Sequence, residues 1–162
     1  MAIRPFANFL QHAYVTTDIE QAKSIFAKDF GVKDYFQFDS NMELKTARGL
    51  EHAELRIALA FVGDLQIELI QPLSGPGMKL YQEVLPETGY GLKFHHFAYL
   101  VPGPREAWTE FRATVGNETH PIAIEGDLGF VQFLYLDHRA QLGHYSEYMW
   151  AEYDVHAQVP RN

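Results

Sequence analysis

The sequence predicts an α+β fold in which two β-α-β-β-β modules form one curved, mostly antiparallel sheet around a cavity, with helices outside. Three observations carry that prediction. The stretches opening at Leu10 and at Leu92 share one plan: a histidine-bearing strand, a turn, an amphipathic segment and a terminal glycine, Gly31 in one half and Gly116 in the other. Each half then closes on a strand with one glutamate among apolar or aromatic neighbours, Glu68 in LQIELIQP and Glu147 in GHYSEYMW. Neither half alone closes a sheet, so pairing the halves is the natural way to bury both matching faces.

The elements follow in order. Asn8 to Thr16 reads as a strand, and Thr17 or Asp18 can cap the helix after it. Ile19, Ala22, Ile25, Phe26 and Phe30 recur at helical spacing, and Gly31 is a suitable stop. Lys33 to Phe38 is a short strand candidate, while Asp39 to Gly49 is polar and reads as loop or irregular edge. Glu54 to Phe61 and Leu65 to Gln71 flank Gly63-Asp64, a hairpin signal. Alternation in the second of these strands sets Gln66, Glu68 and Ile70 opposite the helix-packed Leu65, Ile67 and Leu69. Gly75, Pro76 and Gly77, then a short helix from Met78 to Leu85, suit a connection between modules. In the second half, Phe94 to Val101 is a strand and Pro104 to Val115 a helix. Thr119 to Glu125 is an edge strand broken by Pro121, and Gly129 to Leu136 with His144 to Trp150 makes the closing hairpin. The chain is thus one domain, residues 1–162: module 8–72, linker 73–93, module 94–150 and a polar tail, 151–162, expected to be partly mobile.

Composition narrows the function. The 162 residues include no cysteine, which excludes thiolate ligands, disulfides and cysteine nucleophiles and leaves imidazole and carboxylate as the strong metal donors. A net charge of −8 argues against a nucleic-acid partner. An anionic small substrate would need local cations such as Arg48, Arg56, Lys79, Lys93 or Arg139. No apolar run has the length of a membrane span and the N-terminus lacks a signal-peptide core, so a cytoplasmic protein without membrane partners is expected.

When the repeats are aligned on their histidines, His12 falls on His96, with one residue inserted near Pro102. Two histidines and two glutamates in equivalent places make a candidate metal site: His12, Glu68, His96 and Glu147. Such a set suits a divalent cation (Zn, Co, Ni, Mn or Fe) that polarises a carbonyl while a carboxylate moves the adjacent proton. Alternation places Phe94, His96 and Ala98 on one side of their strand and His95 on the other. Tyr14 and Tyr145 are expected to line the cavity.

The runs QHAYVTTDIEQAKSIFAKDFGV, LQIELIQPLSG and GLKFHHFAYLV, with the final glutamate-bearing strand, resemble the vicinal oxygen chelate superfamily over roughly residues 8 to 150. IELIQPLSG followed by HHFAYLV is closest to the methylmalonyl-CoA epimerase pattern. The resemblance implies metal ligands at His12, Glu68, His96 and Glu147, a small-molecule substrate and a homodimer. It also implies a second proton-transfer group at Glu51, with His52 or Glu54 as alternatives, beside Glu147 as the first. The expected function is a glyoxalase- or epimerase-type isomerase or lyase. The alternatives are an Fe(II) extradiol-type dioxygenase and a metal-free small-molecule binding protein of the bleomycin-resistance type. The loop YLDHRAQLGHYSE departs from the short turn usual in the family.

Overall fold

The computed structural model describes residues 7–162. The first module comprises β1 (Phe9–Thr16), α1 (Ile19–Phe30), β2 (Phe36–Thr46), β3 (Gly49–Val62) and β4 (Leu65–Ser74). A 3-10 turn at Pro76–Met78 and α2 (Lys79–Gln82) lead to the second module. This comprises β5 (Leu92–Leu100), α3 (Arg105–Arg112), β6 (Ile122–Asp127), β7 (Val131–Asp137), α4 (Arg139–Leu142) and β8 (Tyr145–Ala151). No helix among the described residues is long and apolar enough to cross a membrane.

The strands close into a barrel in the order β1-β4-β3-β2-β6-β7-β8-β5. Each module has the same internal order, β1-β4-β3-β2 and β5-β8-β7-β6, with β1 parallel to β4 and β5 parallel to β8. The modules join through two antiparallel seams, β1 with β5 and β2 with β6. The second seam is short: only Leu44 with Gly126 and Lys45 with Glu125 are paired, so β2 and β6 part toward Phe36.

Local chemistry accounts for the helix that braces the first module. Asp18 accepts hydrogen bonds from the backbone N–H groups of Glu20 and Gln21, and Gly31 ends α1 in the left-handed conformation that glycine tolerates best. Ile19, Ala22 and Phe26 then pack on Ala58, Ala60, Ile67 and Leu69, the outer face of β3 and β4. Burying Ile19 or Phe26 contributes roughly 1.5–3 kcal/mol each. The helix α3 plays the same part in the second module, setting Trp108 and Phe111 against Tyr99, Leu134, Tyr148 and Trp150. With helices on the outer face, the inner face is left to the cavity.

One expectation is corrected. Asp39 to Gly49 is not loop: β2 pairs with β3 from Phe36 opposite Leu59 to Thr46 opposite Gly49. Its polarity reflects one face turned to solvent, while Ser40 and Leu44 are buried on the other. The tail is tied to the first module. Phe61 donates to the carbonyl of Pro160, and Asn162 Oδ1 accepts from the N–H groups of Lys33 and Asp34 at 2.7 and 2.9 Å.

Candidate metal centre

Register decides which side chains of β1 and β5 face inward. Ala13 lies opposite Glu68 on β4, and Ala98 lies opposite Glu147 on β8. Counting back two residues from each alanine, along the same face, gives Gln11 in the first module and His96 in the second. The repeat therefore equates Gln11, not His12, with His96.

Glu68, His96 and Glu147 meet inside the barrel, with one ligand atom from each lying within 4.8 Å of the others. His96 is fully buried; its Nε2 stands 3.0 Å from Glu147 Oε2 and 3.5 Å from Glu68 Oε2. Burial alone would lower the His96 pKa, but hydrogen bonds to the two carboxylates outweigh it and raise it to about 9. Burial pushes the Glu147 carboxyl up, against the opposing pull of His96. Gln11 lines the same cavity as Glu68 and Glu147; its Nε2 donates to Gln66 Oε1 at 2.7 Å, while its Oε1 is buried without a partner.

His12 is not part of this group. Its ring lies among Phe9, Phe94 and Phe97, with centroids 5.5, 6.3 and 4.8 Å away, and burial lowers its pKa. Tyr14 shares that outer face and packs on Phe26 of α1 at 5.3 Å, so it is not cavity lining. Glu51 is also elsewhere, at the β2–β3 hairpin. Arg48 donates to it at 2.7 and 2.6 Å, Thr46 at 2.9 Å, and the Arg48 guanidinium holds its carboxyl below the usual range. His52 faces Glu43, and Glu54 accepts from Ser74. None of the three lines the cavity.

A bulge explains why β5 does not alternate as expected. Ala13 pairs with His96 and Tyr14 with Phe94, which leaves His95 without a partner on β1. The two imidazoles consequently sit side by side, His95 Nδ1 to His96 Nδ1 at 2.9 Å, and Phe94 is turned to the outer face beside His12. His95 is buried among Tyr81, Tyr135 and Tyr145, with Nε2 3.2 Å from the carbonyl oxygen of Leu80.

Sequence reasoning missed Gln11, Gln66 and the tyrosines that back the site. Tyr81 donates to the Tyr135 hydroxyl at 3.1 Å, and that hydroxyl lies 3.4 Å from His96 Nε2. Only Gln11 had a signal: anchoring the repeat on AYV and AYLV rather than on histidine aligns it with His96.

The fold and site define a class of protein: a barrel of two β-α-β-β-β modules with two carboxylates on its cavity wall and a buried imidazole beside them. Residues 10–118 match the sequence model of the Glyoxalase/Bleomycin resistance protein/Dioxygenase superfamily, and the chain belongs to that superfamily. Among solved structures, methylmalonyl-CoA epimerase from Mycobacterium tuberculosis superposes with a TM-score of 0.59 at 13% identity, covering 92% of this chain and 93% of that one. A Streptomyces coelicolor methylmalonyl-CoA epimerase in complex with 2-nitronate-propionyl-CoA gives 0.56 at 10% identity, covering 91% and 99%. A hypothetical protein from Bacillus halodurans gives 0.54 at 18%, covering 91% and 96%. At these identities the likeness is one of fold. No curated protein matches the chain in sequence.

Proposed function

We propose that the chain is a metal-dependent enzyme of the glyoxalase and epimerase type, an isomerase or lyase that moves a proton beside a carbonyl or thioester. The observation that carries this reading is the convergence of Glu68, His96 and Glu147, the two carboxylates lining an apolar cavity and the imidazole buried behind them. The donor set fits a divalent ion: hard oxygen and imidazole nitrogen suit Zn, Co, Ni, Mn or Fe, and Gln11 Oε1 is a buried acceptor with no partner of its own. When held by Glu68, His96, Glu147 and Gln11, such an ion would supply Lewis-acid polarisation of a substrate oxygen.

The side chains supply the rest. Glu147 faces the cavity, and on release from the ion its carboxylate is the group best placed to take and return the proton. Because Tyr81 donates to Tyr135, the Tyr135 hydroxyl keeps its own hydrogen for a substrate oxygen. The apolar walls exclude water and hold the reacting carbon near Glu147.

Elemental analysis of the purified protein, followed by chelation and Co(II) reloading, tests the reading. Solvent-deuterium exchange into an α-proton of carbonyl substrates should vanish on chelation, return with Co(II) and be lost in Glu147→Gln. A chain that binds no ion on titration yet binds apolar ligands would instead be a metal-free binding protein, the reading that the cavity favours second. An Fe(II) dioxygenase is disfavoured because only one imidazole among the described residues joins the carboxylates.

A further inference from the structure

The barrel encloses a cavity of about 590 Å³, within the range of sites for drug-sized molecules. Its walls are aliphatic and aromatic: Leu55, Ile57 and Leu59 on β3, Phe133 on β7 and Met149 on β8. Among the described residues no lysine or arginine lines it. Three of the cations that could have received an anion are engaged elsewhere, Arg48 with Glu51, Arg56 with Asp39, and Arg139 with Asp137 and Glu83.

Among the described residues, the charged side chains on its wall are all acidic. Glu68 and Glu147 lie at the inner end, and Asp154 lies on the wall that the tail contributes. A divalent ion would be balanced by Glu68 and Glu147 alone, two positive charges against two negative, leaving no excess to hold a substrate carboxylate. Where β2 and β6 part, the cavity is bounded by Phe36, Phe38, Leu128, Phe130 and Tyr153, and among the described residues no lysine or arginine lines this rim to take a phosphate. Val155, Gln158 and Val159 of the tail continue the wall, and the tail is held across the barrel by Glu152 donating to Phe130 and by Phe61 donating to Pro160. A buried carboxylate without a cationic partner costs several kcal/mol or more, whereas an aromatic or alkyl group gains from the same walls.

We infer that the molecule this cavity takes is a neutral, largely apolar carbonyl compound, aromatic or alkyl along its buried length, with its oxygens at the Glu68–Glu147 end. The epimerases of like fold are named for, or bound to, CoA thioesters; this cavity is built for a different class. The inference rests on the proposed function only for which end carries the oxygens.

The test is a matched pair of probes, acetonaphthone and naphthoate, which share shape and differ in charge. Binding to the full chain is followed by calorimetry and by quenching of intrinsic fluorescence, in chelator-treated and in Co(II)-loaded protein. Acetonaphthone should bind at least about tenfold more tightly than naphthoate in both forms, and methylmalonyl-CoA should not displace it. Equal or tighter binding of naphthoate, displacement by methylmalonyl-CoA, or no binding of the ketone would overturn the inference. Phe38→Arg, at a partly exposed rim position that tolerates a long side chain, should narrow or reverse the preference, and an unchanged ratio would place the ketone outside this cavity. The two readings fail separately: a chain that takes up no Co(II) sinks the metal chemistry, while the chelator-treated arm still decides the ligand class.

Discussion

His95 Nδ1 lies 2.9 Å from His96 Nδ1, and the far side of His95 decides which ring donates. Leu80 O, 3.2 Å from His95 Nε2, can only accept, so that nitrogen carries the hydrogen. Burial, reinforced by the charge of His96, lowers the His95 pKa well below its ordinary value, so the ring is neutral and Nδ1 presents a lone pair. His96 Nδ1–H donates to it, and His96 Nε2 is turned to the carboxylates, where an ion would take the place of its proton.

In the proposed metal site His95 is therefore a positioning residue. His95→Phe keeps an aromatic ring among the tyrosines but removes the acceptor, and should weaken Co(II) binding by about 10- to 100-fold. His95→Asn, which restores an acceptor near Nδ1, should recover part of the loss. Calorimetric titration reads the affinity, and nitrogen-detected NMR of the imidazoles reads the tautomers. Equal affinity in wild type and His95→Phe would remove the role.

Metal affinity should depend on pH through His96. The ion and the proton compete for Nε2, and the pKa of about 9 in the metal-free protein means the proton occupies it at neutral pH. Affinity should rise about tenfold per pH unit up to about 9 and level off above it. The stability of the metal-free protein should run the opposite way. A folded-state pKa above the unfolded value gives a contribution that is full below about 6.5 and is lost as pH rises through about 9. Thermal denaturation of chelator-treated protein across that window checks the sign.

Gln11 and His12 make a discriminating pair. Gln11→Ala should weaken Co(II) binding about tenfold, Gln11→His should strengthen it by adding a second imidazole, and His12→Ala should leave it unchanged. Loss of binding in His12→Ala with none in Gln11→Ala would restore the histidine to the site.

Gly75 should resist substitution for steric reasons alone. Its φ is +103°, and a Cβ there would stand 2.3 Å from the backbone oxygen of His52. Gly75→Ala should cost about 2 kcal/mol or more, from backbone strain and the clash together, read as a lowered Tm with Co(II) affinity per folded molecule preserved.

Much of this was legible in the chain. The Ile19, Ala22 and Phe26 stripe of α1, its Asp18 cap and Gly31 stop, the Gly63-Asp64 turn and the inward face of β4 were set by local chemistry and by alternation, which need no knowledge of neighbours; Phe30, at the end of the stripe, is instead exposed. The placement of Glu68, His96 and Glu147 followed from the repeat. The counterpart of His96 on β1 did not, because aligning the repeats on histidine sets the frame one residue off. Aligned on Ala13-Tyr14 and Ala98-Tyr99, both modules run 18 residues from alanine to terminal glycine, and no insertion at Pro102 is needed. The parity error thus announced itself as a false gap. The side-by-side His95 and His96 had no such signal, since a bulge depends on the pairing of β5 with β1. The full length of β2 was hidden because a half-solvated strand carries the composition of a loop.

The two seams of the barrel have an evolutionary edge. A stand-alone copy of either half would leave both of its outer strands without partners, and two identical copies could complete the ring. Two second halves would then furnish paired imidazoles and paired carboxylates, and two first halves paired carboxamides with no nitrogen ligand at all. Joining unlike halves in one polypeptide lets a single donor be exchanged without its mirror image, so Gln11 opposite His96 is an asymmetry that no symmetric ancestor could have held.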